Sequence, residues 1–196
     1  MNTLTMDTQT LAILAMVVVL VVVGAWLLLR NKQSKDLEQR FGPEYGRTVE
    51  ELGSRPKAEA ELKTRQKRVE KLNIAPLAPG EAARFTQAWR ALQGRFVDNP
   101  KGALQEADIL VQELMLKRGY PMADFEGRAA DISVDHPAVV DHYRAAQAIA
   151  LRDQRGEADT EEMRRAVVHY RALFDDLLEV EQPQQARDRK PMEARS

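Results

Sequence analysis

The sequence predicts an all-α protein: an N-terminal transmembrane helix, a charged helical stalk and a small antiparallel helical bundle. Three observations carry that prediction. Residues 11–29, LAILAMVVVLVVVGAWLLL, contain no charge and no proline. Beyond them, apolar residues recur at spacings of three and four, and no alternating pattern of period two occurs. Proline, glycine and Asx residues fall where helices need starts and stops.

As an α-helix rising about 1.5 Å per residue, residues 11–29 cover roughly 28 Å, close to the ~30 Å hydrocarbon core of a bilayer. Valine is a poor helix former in water, but hydrocarbon offers the backbone no partner except itself, so the helix is forced. Asp7 is the only side-chain charge before the stretch, whereas Arg30, Lys32, Lys35 and Arg40 follow it closely. Positive charge stays in the cytoplasm, which predicts a single-pass anchor with the C-terminal part cytoplasmic and Trp26 near the cytoplasmic headgroups. A cleaved signal peptide needs a basic opening, a shorter apolar core and small residues at its end, and these are lacking. Gly24 has no small residue four positions away, so close-packed helix dimerisation has no support. The expected organisation is an external segment at 1–10, the span at 11–29, the stalk at 30–78, the bundle at 79–180 and a disordered tail at 181–196.

The stalk is broken by Gly42-Pro43 and by Gly53-Ser54-Arg55-Pro56. Leu37 and Phe41, then Tyr45, Val49 and Leu52, give its pieces narrow apolar stripes. Residues 57–72 place Ala58, Leu62, Arg65, Val69 and Leu72 on one side, a weak coiled-coil and homo-oligomer signal covering only about two heptads. Pro76 and Pro79 stop the stalk, and Pro79 and Glu81 suit the first turn of the next helix. That helix runs to about Val97 with Phe85, Ala88, Trp89, Leu92 and Phe96 on one face.

Asn99-Pro100 caps and opens the following helix, which Gly119 closes, with Ala103, Leu104, Ala107, Leu110, Val111, Leu114 and Met115 inward and Asp108 among the solvent-side residues. A shorter helix is expected at 122–132. Asp135 is expected to cap the next one, which presents Val139, Val140, Tyr143, Ala146, Ala150 and Leu151 and ends at Gly156. Asp159 and Glu162 have capping-box spacing before a last helix with Met163, Val167, Tyr170, Leu173, Phe174, Leu177 and Leu178 inward. The tail has two prolines and almost no apolar residue, a composition too polar to form a core.

The 29 basic and 30 acidic residues nearly cancel and are interleaved, which argues against nucleic acid as a partner. The absence of cysteine removes disulfides, thiolate metal sites and cysteine nucleophiles. His136, His142 and His169 titrate near neutral pH and have Asp135, Asp141 and Asp176 nearby in sequence. His136 and His142 are six apart, so they diverge on a shared helix, and His169 on another helix joins only one of them. No metal or cofactor is therefore expected, and no nucleophile pattern, phosphate loop or carboxylate pair points to an enzyme.

The stretches LEQRFGPEYGRTVEELGSRPKAEAEL, RVEKLNIAPL, WRALQGRFVDNPKGALQEAD, RGYPMADFEGRAADISVDHPAVVDHYR and VVHYRALFDDLL run through nearly all of the chain beyond the span. Together they resemble an uncharacterised family of small bacterial single-span membrane proteins with a C-terminal helical domain. The resemblance implies a bacterial cytoplasmic membrane and carries over no activity. Ala78 stands where the family pattern implies a serine cap, so the helix start beyond it is expected to fray.

The function these features predict is a membrane-anchored, non-catalytic module presenting its cytoplasmic bundle to a protein partner. Trp89, Phe96, Tyr120 and Phe125 are the candidate partner-binding face, because these aromatics lie beside turns. Arg30, Lys32, Lys35 and Arg40 are candidate contacts to lipid headgroups. The alternatives are a membrane-bound metal-dependent enzyme or sensor using the histidines, and an envelope structural protein self-associating through residues 57–72.

Overall fold

The computed structural model describes residues 8–178, with the side chains at 8–13, 15, 26–28, 30 and 79 outside the described set. Residues 1–7 of the external segment expected at 1–10, the tail at 181–196 and the placement of Trp26 therefore lie outside the described residues, while residues 8–10 already belong to the first helix. Among the described residues the chain forms eight α-helices and no strand: α1 (Thr8–Phe41), α2 (Pro43–Leu52), α3 (Arg55–Val69), α4 (Pro79–Arg95), α5 (Pro100–Arg118), α6 (Phe125–Asp135), α7 (Val140–Gln154) and α8 (Thr160–Leu177). The all-α prediction holds. The chain divides into two compact units, residues 1–62 and 63–196.

In the first unit the apolar stretch and the basic residues behind it form one continuous helix, α1, which ends at the expected Gly42-Pro43 break. The break comes at Gly42, which has a positive φ of 49° and precedes Pro43 at the start of α2. Among the described residues no helix is long and apolar enough to cross a membrane. The described part of the apolar stretch is nonetheless exposed along its length, as set out below. The segment read as a stalk folds on itself. Leu37, Phe41, Tyr45, Ala58 and Leu62 are buried, and Glu59 accepts hydrogen bonds from Ser34 Oγ at 2.6 Å and Tyr45 Oη at 3.1 Å.

The second unit is a helical bundle, and it begins earlier than the proline boundary suggests. Leu72, Ile74 and Leu77 pack against the bundle core, and the Ala75 amide donates to the Arg118 carbonyl at 2.9 Å. Arg68, near the end of α3, donates to Asp131 of α6 at 2.7 Å, where the carboxylate is nearly inaccessible. The chain passes so close to α5 that a Cβ on Gly119, whose φ is 101°, would lie 2.3 Å from the Asn73 carbonyl oxygen. Only glycine fits there, which is why the Gly119 stop is also a packing site.

α8 packs along both α5 and α7, and α4 lies on α5. The seven inward residues expected on α5 are all buried, as are Tyr170, Leu173, Phe174 and Leu177 of α8. Leu151 is a miss: it is 43 % exposed. The Asn99 cap and the Asp159–Glu162 capping box form as expected. Around residue 135 the sequence reading needs correction. α6 starts at the Asp124 cap and runs through Asp135 to end on His136, and α7 starts only at Val140 with no side-chain cap. Asp135 caps nothing, because its carboxylate accepts instead from Tyr120 Oη at 3.3 Å.

α4 starts at Ala78, which has the extended conformation of a cap but no side-chain oxygen to supply one. Ala78→Ser gives the first-turn amides an acceptor. It is expected to stabilise the protein by about 1 kcal/mol, measured as a raised midpoint of chemical denaturation; an unchanged or lowered midpoint removes this account of the helix start.

Candidate functional site

The aromatic face expected to bind a partner is mostly core. Trp89 is fully buried and stacks on Phe174 with ring centroids 4.5 Å apart, while the Arg171 guanidinium lies 5.5 Å from the Trp89 ring centre. Tyr120 is 1 % exposed. These two are therefore corrected from partner contacts to core residues: a large aromatic at helical spacing removes more apolar area from water by packing inward than by waiting for a partner. Phe125 is half-buried against Tyr143, ring centroids 4.9 Å apart. Phe96 is also half-buried, and with Gln93, Arg164, Val167 and Val168 it lines a shallow depression between α4 and α8. Val97 beside it is 85 % exposed and Val168 56 %. Of the four residues, Phe96 alone belongs to an accessible apolar patch of this kind.

The candidate lipid contacts Lys32, Lys35 and Arg40 are exposed on α1, and the side chain of Arg30 lies outside the described residues. The seam expected at 57–72 is covered within the chain, with Ala58, Leu62, Arg65 and Val69 buried. That leaves a second copy little of the seam to pack on.

The three histidines separate into two places. His136, at the end of α6, has its Nδ1 2.5 Å from Asp176 Oδ2 on α8. An Nδ1–H donated to that carboxylate leaves Nε2 as the basic nitrogen. Ser133, the neighbouring hydroxyl in sequence, already donates to the Ala130 carbonyl at 2.7 Å, and Tyr120 is held by Asp135. The local polar groups thus bind one another, joining α6 to α8 and to the loop after α5. His142 of α7 and His169 of α8 meet with their Nδ1 atoms 2.9 Å apart, so one ring donates to the other. Among the described residues no group of three or more His, Cys, Asp or Glu side chains is placed to hold a metal ion.

The sequence reading overlooked a network beneath the histidine pair. Tyr170 Oη is 2.9 Å from Asp108 Oδ1 and 3.2 Å from Gln147 Oε1, joining α8 to α5 and α7, and Gln112 donates to Asp108 Oδ2 at 2.8 Å. Tyr143 Oη accepts from Arg128 Nε at 2.9 Å. Burial pushes both phenols above their usual range; nearby Asp108 pushes Tyr170 further, whereas Arg128 opposes the shift at Tyr143. Asp108 had been assigned to the solvent side by periodicity. The signal that finds it is Tyr170 itself, because a tyrosine at an inward helical position needs a partner for its hydroxyl.

Burial holds His169 below the usual imidazole range, and the charges of His142 and Arg165 add to the shift. In the unfolded chain His169 regains an ordinary value near 6.5. Below that pH the unfolded state binds more protons than the folded state, so stability falls as the solution is acidified through the window. Denaturation midpoints are expected to decline from about pH 7.5 to about pH 5.5, with a flatter decline in His169→Gln; equal slopes in the two proteins contradict this assignment. No family model matches the chain, and comparisons with curated proteins and with solved structures found no match.

Proposed function

We propose that this protein is a membrane-anchored, non-catalytic interaction module whose bundle faces the cytoplasm at a bacterial cytoplasmic membrane. The observation that carries the reading is the exposure of α1. Leu14, Leu29 and every residue from Met16 to Val23 are 46–67 % exposed. Eight consecutive residues span more than two helical turns, so the helix is apolar all the way round. Such a helix is at home buried in protein or in lipid. Among the described residues these side chains stay exposed, and burying a valine or leucine is worth about 1.5–3 kcal/mol each. Lipid offers that burial, with Lys32, Lys35 and Arg40 on the headgroup side at up to ~1 kcal/mol each.

Tethering confines the bundle near the membrane, so a modest affinity for a partner there becomes effective. The accessible apolar patch at Phe96, Val97 and Val168 is the surface we assign to that partner. A second reading, a metal-dependent enzyme or sensor, draws on the meeting of His142 and His169. Metal analysis of the purified full chain decides it, because stoichiometric metal lost in His142→Ala favours that reading over the first.

Two experiments test the leading reading. Alkaline carbonate washing is expected to leave the full chain with the membranes. Leu20→Arg, which adds roughly 2.5–3.5 kcal/mol to the insertion free energy, is expected to shift it toward the supernatant; complete extraction of the unmodified protein removes the anchor. Photo-crosslinking from Val97 in intact cells is expected to capture one protein specifically, with capture lost in Val168→Glu. Capture indifferent to that substitution moves the partner surface elsewhere.

A further inference from the structure

We infer that the cavity between α5 and α7 is a binding site for an organic cation, an ammonium or guanidinium group carried on a short aliphatic stem. Leu104, Gln105, Asp108 and Ile109 of α5 face Ala150, Asp153 and Gln154 of α7 across an opening of about 260 Å³. Asp153 is one of the two carboxylates that line it. Asp153 is only 4 % exposed, and among the described residues its carboxylate has no hydrogen-bond or ion-pair partner. A carboxylate that lines a cavity and pairs with no described side chain is open to a cation from outside the chain.

The other lining residues define that cation. Asp108 is fixed by Tyr170 and Gln112, both neutral donors, so its charge remains directed to the same space. Gln105 and Gln154 add amide oxygens able to accept from N–H groups, and no Lys, Arg or His lines the opening. Leu104, Ile109 and Ala150 make an apolar wall that a bare metal ion has no use for and a methylene stem packs against. Hard divalent cations also need more oxygen ligands than two carboxylates supply, and no metal-holding group of three such side chains exists among the described residues. The volume is below the ~300–1,000 Å³ of drug-sized sites, which suits a small amine or one basic side chain.

The inference is independent of the membrane reading and is tested on the full chain in detergent micelles. Calorimetric titration uses putrescine, arginine and N-acetyl-lysine methylamide as probes, with magnesium as the control. At least one organic cation is expected to bind saturably, at least tenfold more weakly in Asp153→Asn. The ligand-free Asp153→Asn protein is expected to be as stable as the unmodified one, since no described side chain pairs with the carboxylate. Ala150→Leu fills the cavity and is expected to lose binding as well; it carries the test if Asp153→Asn fails to fold. Binding of putrescine or arginine points to a free amine, and binding of the lysine amide alone to a side chain presented by another protein. Saturation by magnesium alone, no saturable binding by any organic probe, or binding unchanged in both variants overturns the proposal.

Discussion

The Tyr170 hydroxyl, bonded to Asp108 on α5 and Gln147 on α7, sets the register in which the three central helices meet. Apolar packing alone is tolerant of small slides and rotations, because one leucine contact resembles another. A phenol with two fixed partners is not, since any slide leaves a buried polar group unmet at a cost of about 1–3 kcal/mol. From this register follow the stacking of Trp89 on Phe174, the edge contact of Tyr143 with Tyr170 at 6.2 Å, and the cavity that Asp108 shares with Asp153.

The charged residues of the bundle divide along the same line. Pairs at the surface, such as Arg171 with Asp175 one turn away, are exposed and contribute little. Arg68 with Asp131 and His136 with Asp176 are more enclosed and join segments distant in sequence, so they fix how the bundle closes. Asp153 belongs to neither class. The residue is 4 % exposed, yet among the described residues no cation pairs with its carboxylate, and that sets it apart from the structural carboxylates.

The membrane reading rests on the opposite imbalance. Residues 16–23 of α1 are apolar and stay exposed among the described residues, whereas the end of the same helix, at Leu37 and Phe41, is buried. The chain buries Trp89 and Tyr120 almost completely while eight consecutive apolar residues of α1 stay exposed, and it is this contrast that the membrane proposal is meant to explain.

The amino-acid sequence by itself determined the helices and most of their ends, because these are set by local chemistry: the Asn99 cap, the Asp159–Glu162 box, the Gly119 stop and the inward stripe of α5 all lie within a few residues of the backbone groups they serve. Tertiary structure decided what long-range competition settles. Asp135 had the right spacing for a cap and was claimed by Tyr120; Trp89 and Tyr120 had the right position for a partner surface and were claimed by the core. His142 and His169, 27 residues apart, meet only because α7 and α8 pack side by side. Asp153 reads as one more surface charge until the fold closes over it, since periodicity records which face a residue occupies but not what lies across from it.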